Sequence, residues 1–141
     1  MFAVALAARL LYLAQVADYP AFDQPIVDAA TYHDLARGWA AGQPISEGFF
    51  WQPFFYPFVL GLLYHVAGPS VLAARLVQLV LGAFTCLLTF HLGRRLAGER
   101  TGLVAGLMAA LYMPLIVYEA DLVAAGWAAF WAALILLLLL Q

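Results

Sequence analysis

From Ser70 to Leu92 the chain carries a single charged side chain, Arg75. A run of about 17–25 apolar residues is long enough to cross a bilayer as a helix, and little else tolerates so few charges. Met1–Val16, Thr101–Tyr118 and Leu122–Leu140 are apolar stretches of the same kind. Composition decides between a membrane and a buried soluble core. The chain is 67% hydrophobic and 10% charged, with a mean hydropathy of +0.95. A soluble domain is about 45–50% apolar and about 25% charged. There is no lysine, and all six basic residues are arginines. These numbers exclude a water-solvated globular surface, a nucleic-acid binder and a disordered tail. A lone Cys86 excludes an internal disulfide framework and a thiolate metal cluster. The expected fold is an all-α integral membrane protein with about four transmembrane helices.

Arginine placement orients those helices. The Gly93–Thr101 loop carries Arg94, Arg95 and Arg100 against Glu99, which suits the cytoplasmic side. Loop 17–52 carries Asp18, Asp23, Asp28, Asp34 and Glu47 against Arg37, which suits the outside. Opposite sides require an odd number of crossings between them, and Ser70–Leu92 supplies one. Pro53–Ala67, apolar but short and stopped by Gly68-Pro69, is therefore expected to lie at the interface without crossing. The same parity puts Glu119 and Asp121 outside, beside the acidic loop.

Pro25–Gly42 reads as an interfacial helix, with Val27, Leu35, Ala36 and Trp39 as its apolar stripe and Gly42 as its stop. The first outer loop, 17–69, thus holds two interfacial helices. Gly102 and Gly106 have the small-xxx-small spacing of a close helix contact. Met1–Val16 lacks the basic start and cleavage site of a signal peptide. It begins without a flanking arginine, and Leu136–Leu140 runs into Gln141. Residues 1–141 are accordingly expected to be one membrane domain, the N-terminal portion of a longer polytopic protein.

Polar groups gather on the outer face. Asp28 and Tyr32, four apart, share a helix side. An acid at a first turn also favours the helix dipole, but so acidic a loop repels anionic headgroups and calls for another reason. Gln52 and Tyr56 flank Pro53 where the chain re-enters the interface, and Glu119 with Asp121 adds a second acidic pair. Such convergence suits a substrate with a polar head and a lipid tail. Arg75, near the outer end of its span, either snorkels to the headgroups or clamps a phosphate. Arg9 lies deep in an apolar run and needs a carboxylate or water partner that the sequence does not identify. His33, His65 and His91 have no zinc-ligand spacing.

Asp28-Ala-Ala-Thr-Tyr32 followed by Leu35-Ala36 resembles the first-loop motif D-x-x-x-Y-x-x-x-A of the dolichyl-phosphate-mannose protein mannosyltransferase-like family, whose relatives include aminoarabinose transferases acting on lipid A. Gln52-Pro-Phe-Phe-Tyr-Pro57, Ala74-Arg75-Leu76-Val77-Gln78, Gly93-Arg94-Arg95-Leu96 and Ala110-Leu111-Tyr112-x-Pro114 also resemble family text, in order along the chain. Many relatives have Asp-Glu at the first motif, whereas Ala29 follows Asp28 here. The resemblance implies a C-type glycosyltransferase, in the inner (plasma) membrane of a bacterium, that moves sugar from a polyprenyl-phosphate carrier to a protein, lipid or glycan acceptor. Within that chemistry Asp28 is the expected catalytic base, with Tyr32, Gln52, Tyr56, Arg75 and Glu119 binding substrate. Glu119 would hold acceptor or a divalent cation; no cofactor is otherwise implied. The alternative is a non-catalytic membrane scaffold or subunit. A transporter would want charges deep in several helices, and only Arg9 is so placed.

Overall fold

The structure is a computed structural model that describes residues 1–20, 22–44 and 54–140. Its elements are helical throughout: α1 (Phe2–Val16), α2 (Asp28–Ala40), α3 (Phe55–Ala67), α4 (Val71–Ala97), α5 (Glu99–Leu111), α6 (Met113–Ala120) and α7 (Ala125–Leu139). The long α4 is the axis of the bundle, with α5, α7, α1 and α6 packed along it, while α2 and α3 pair with each other.

Helix α4 starts where the Ser70 hydroxyl accepts from Ala73 N at 3.2 Å, and ends at Gly98 with φ +88°. It is longer than the sequence-based span. Arg94 and Arg95 continue the helix, because arginine is a good helix former and complements the C-terminal dipole. The expected Gly93–Thr101 loop therefore shrinks to a turn at Gly98, with Arg100 already on α5. At about 1.5 Å per residue, the stretch from Arg75 to Arg94 is about 28 Å long, close to the ~30 Å hydrocarbon thickness of a bilayer.

The helices do not confirm the four-span count. Among the described residues, only α4 is long and apolar enough on its own to cross a membrane; α5 and α6 are so together but are bent by 51°. The expected straight span Thr101–Tyr118 is broken at Tyr112, whose ψ of +100° is extended. Pro114 causes the break: in a straight helix its ring would clash with the Ala110 carbonyl and leave that oxygen without an N–H. Helices α1 and α7 are shorter apolar helices of 15 residues each, and α3 has 13.

Glycines set the approach of α5 to α4. A Cβ on Gly102 would stand 2.6 Å from Phe90 O, and one on Gly93 would stand 3.0 Å from Gly102 Cα. The Gly102/Gly106 seam foreseen from sequence is thus a real contact, made against α4. In α2 the buried stripe differs from the expected one. Ala29, Tyr32 and Ala36 face α3, whereas Val27 is 79% exposed and Leu35 and Trp39 are only partly covered. The closest approach sets the stripe: at Gly61 of α3 a Cβ would meet Trp39 at 2.6 Å and the Ala36 carbonyl at 3.2 Å. Small residues therefore line the contact, and Trp39 lies beside it against Phe58.

Candidate functional site

A cavity of about 200 Å³ opens between the end of α1, the segment after it, α4 and α6. Tyr12, Tyr19, Phe22, Arg75 and Asp121 bring its polar and aromatic groups, while Val16, Ile26 and Val117 supply apolar wall. Arg75 is 5% exposed. Its Nη1 donates to the Phe22 carbonyl at 2.5 Å, and its guanidinium lies 4.4 Å over the Phe22 ring. Asp121 and Asp23 are the carboxylates that act on it through space. Arg75 is therefore not extended to bulk water as a snorkelling side chain is. It is held against one wall of an amphipathic cavity.

Asp121 reaches this cavity because α6 ends one residue earlier. Its Oδ1 accepts from Leu122 N at 2.9 Å, and its carbonyl accepts from Gln78 Nε2 at 2.6 Å. The same Gln78 amide donates to Glu119 O at 2.9 Å, and its Oε1 accepts from the Tyr56 hydroxyl. Burial pushes the Tyr56 phenol up, as do the nearby Tyr64 and Asp121 groups, so it keeps the proton it donates. One buried amide thus ties α3, α4 and α6 together and satisfies the carbonyls at the end of α6.

The residues expected to bind substrate divide into two groups. Arg75 lines the cavity. Tyr32, Tyr56 and Glu119 turn inward, at 6%, 1% and 0% exposure. Tyr32 stacks edge-on to Tyr56 at 4.9 Å between centroids. Burial raises the Tyr32 phenol, and the nearby Asp28 carboxylate raises it further. Asp28 itself is exposed, at the first residue of α2. Val27 before it has φ +53°, a left-handed conformation that a β-branched residue adopts at a cost of about 1–3 kcal/mol. Such strain next to an exposed acid is the kind that functional segments keep. Ile26, two residues before Asp28, reaches the cavity wall. Gln52 lies outside the described residues.

Glu119 does not form an exposed acidic pair with Asp121. Its carboxylate is buried and bound by Arg9, the partner that the sequence did not identify. Among the described residues no three His, Cys, Asp or Glu side chains converge as a metal site requires. Sequence reasoning also passed over Tyr12, Tyr19, Phe22 and Gln78 as site residues, and named Asp121 only as the second member of an acidic pair. An isolated glutamine inside the apolar α4 was the available signal for Gln78.

The family described as dolichyl-phosphate-mannose-protein mannosyltransferase matches residues 51–141. The match includes Tyr56, Arg75, Glu119 and Asp121 and begins after Asp28. Neither the curated proteins nor the solved structures yield a match. The matched region takes in more than half of the sequence, including α3 to α7, and the chain belongs to the dolichyl-phosphate-mannose-protein mannosyltransferase family.

Proposed function

We propose that the chain forms the N-terminal part of a glycosyltransferase that takes sugar from a polyprenyl-phosphate carrier and passes it to an acceptor at the outer face of a bacterial inner membrane. The observation that carries this reading is Arg75, a guanidinium held in a cavity walled by tyrosines and aliphatic side chains. A lipid phosphate needs both: a fixed, permanently charged donor for its oxygens, and apolar surface for the first isoprene units. Arg75 also lies about one membrane thickness from Arg94 along α4, which suits a site at the face opposite the arginine turn.

In this reaction the bond from the anomeric carbon to the acceptor oxygen forms as the bond to the phosphate oxygen breaks. The acceptor proton goes to a carboxylate, and the carrier phosphate leaves with added negative charge. Asp28 is the base in this reading, exposed where an acceptor approaches and held by the strained Val27 turn. Arg75 stabilises the departing phosphate. Tyr32, Tyr56 and Glu119 support the site from within the bundle, and Gln52 stays a substrate-binding proposal.

Sugar transfer from a polyprenyl-phosphate donor, measured in membranes with the full-length protein and normalised to folded enzyme, tests this. Asp28→Asn removes the base and should cost about 10²–10⁴ in rate, whereas loss of a carboxylate from the first turn of α2 costs only about 0.3–1 kcal/mol of stability. Arg75→Lys should weaken donor binding, since lysine keeps the charge but loses the fork. Near-normal turnover by Asp28→Asn sinks the base assignment. Unchanged donor affinity in Arg75→Lys sinks the clamp.

A further inference from the structure

The most elaborate polar cluster in the bundle touches no part of the cavity. Arg9 and Glu119 are both 0% exposed. Arg9 Nε donates to Glu119 Oε2 at 2.5 Å and Nη2 to Oε1 at 3.2 Å. Nη2 also lies 3.3 Å from Cys86 Sγ, and Nη1 donates to Ala5 O at 3.1 Å and to Ala110 O at 3.3 Å. Ala110 is the residue whose carbonyl Pro114 leaves without its helical N–H. The same guanidinium therefore fills the gap left by the α5–α6 break and grips the carboxylate at the far end of α6. Gly82 of α4 makes room for it, since a Cβ there would stand 2.0 Å from Glu119 Oε2. Cys86 lies about 16 Å along α4 from Arg75, so the cluster sits near mid-membrane, where nothing but protein can satisfy it.

Resting on the donor-site reading above, we infer that Arg9 and Glu119 are positioning residues: a clasp that fixes the bend between α5 and α6 and so sets the Val117, Ala120 and Asp121 wall opposite Arg75. The path is short. Glu119 is two residues from both Val117 and Asp121, and its own carbonyl is held by Gln78 together with that of Asp121. With both ends of α6 tied, one by Arg9 at the break and one by Gln78 at the exit, the cavity keeps a single width. A helix broken inside a membrane without such ties has several packings open to it.

Removing one partner strands a buried charge and unfolds the bundle for reasons unrelated to position. The test therefore uses Arg9→Met with Glu119→Met, which removes both charges at similar volume, in the full-length protein. Cysteines at Val16 and Val117, in a Cys86→Ser background whose hydroxyl still accepts from Arg9, carry nitroxides across the cavity. The expected result is a narrow distance distribution in the parent and a broad one in the double variant, at similar thermal stability. Binding of polyprenyl phosphate in detergent should weaken about tenfold in the double variant, in the range that coupling through a packed network carries. An unchanged distance distribution overturns the clasp. If the parent binds no polyprenyl phosphate, the donor-site reading falls, and a broadened distribution in the double variant still supports the clasp.

Discussion

Arg9 and Glu119, 110 positions apart in sequence, meet with both nitrogen–oxygen contacts buried, and the carboxylate rests on the bare Cα of Gly82. An intramembrane arginine costs about 2.5–3.5 kcal/mol on insertion scales when it stands alone at a helix centre. Here it neutralises an acid, fills the gap at a proline break and joins α1 to α6.

Gly82→Ala is expected to destabilise. Alanine is about 1 kcal/mol better than glycine within a helix, so intrinsic preference predicts the opposite sign. The new methyl would overlap the Glu119 carboxylate, which is pinned by Arg9 and cannot swing away. Overpacking of this kind costs about 1–3 kcal/mol. Thermal unfolding in detergent reads the result, and a stabilised variant means that Glu119 does not sit on Gly82.

Gln78→Leu keeps the side-chain volume but leaves the Tyr56 hydroxyl and the Glu119 carbonyl without the amide, while the Asp121 carbonyl keeps only Val123 N. Each buried group left unsatisfied costs about 1–3 kcal/mol. A loss of more than about 2 kcal/mol is expected, with accelerated proteolysis near the end of α6. A variant as stable as the parent would show that these bonds are not formed together.

The α2–α3 contact should weaken in acid. His33 Nδ1 lies 2.8 Å from the Tyr64 hydroxyl, and the two rings meet edge-on at 5.4 Å. Burial lowers the His33 pKa from its ordinary 6.5, outweighing the pull of Asp34, and Arg37 adds to the lowering. Tyr64, pushed up to about 12 mainly by burial, stays protonated and can donate to the neutral imidazole. A histidine with a depressed folded pKa binds fewer protons folded than unfolded. Its contribution is therefore full above pH 6.5 and is lost as pH falls through the lower folded value. Protection of α2 amides against hydrogen exchange, relative to their intrinsic rates at each pH, should fall below about pH 6, and His33→Gln should remove that dependence. Protection that is independent of pH in the parent would exclude this coupling.

Much of the scaffold was legible because it needs only local information. Apolar run length located α4, glycine spacing marked the contact face of α5, and Gly68 ended its helix as a turn residue does. The misreadings have local causes too. Pro114 is itself a break signal, yet the apolar run across it masked the bend at Tyr112. The stripe of α2 follows the fit of Ala36 against Gly61, which side-chain hydrophobicity alone does not report. The partner of Arg9 was beyond reach for a different reason. Their meeting depends on the bend, on the glycine at position 82 and on a separation of 110 positions, and no periodicity encodes such a pair. Asp28 and Tyr32 share a helix side as their spacing implies, but one is exposed and the other is buried against Tyr56. Asp28, the first residue of the helix, faces out, whereas Ala29 in the same turn is already buried.

The last prediction concerns sidedness. Arg94, Arg95 and Arg100 surround the Gly98 turn, all exposed, with Glu99 the acid among them. Arg75 and the α2 segment with Asp28 and Asp34 belong to the other end of α4. If α4 crosses the bilayer once and α3 does not, cysteines at Ala41 and Leu96 must label from opposite sides, with Leu96 cytoplasmic. Both positions are exposed, and neither has a left-handed backbone, unlike Gly98 at φ +88°. The length of α3 favours this outcome, since 13 residues reach only about 20 Å against the ~30 Å core. Labelling uses a membrane-impermeant maleimide on intact cells, then on opened membranes, with Cys86→Ser removing the buried native thiol. Ala41 should react in intact cells and Leu96 only after opening. Reaction of both in intact cells would mean that α3 crosses as well. The acidic α2 segment and the arginine turn would then share a face, and a donor site at Arg75 would lie on the side opposite Asp28.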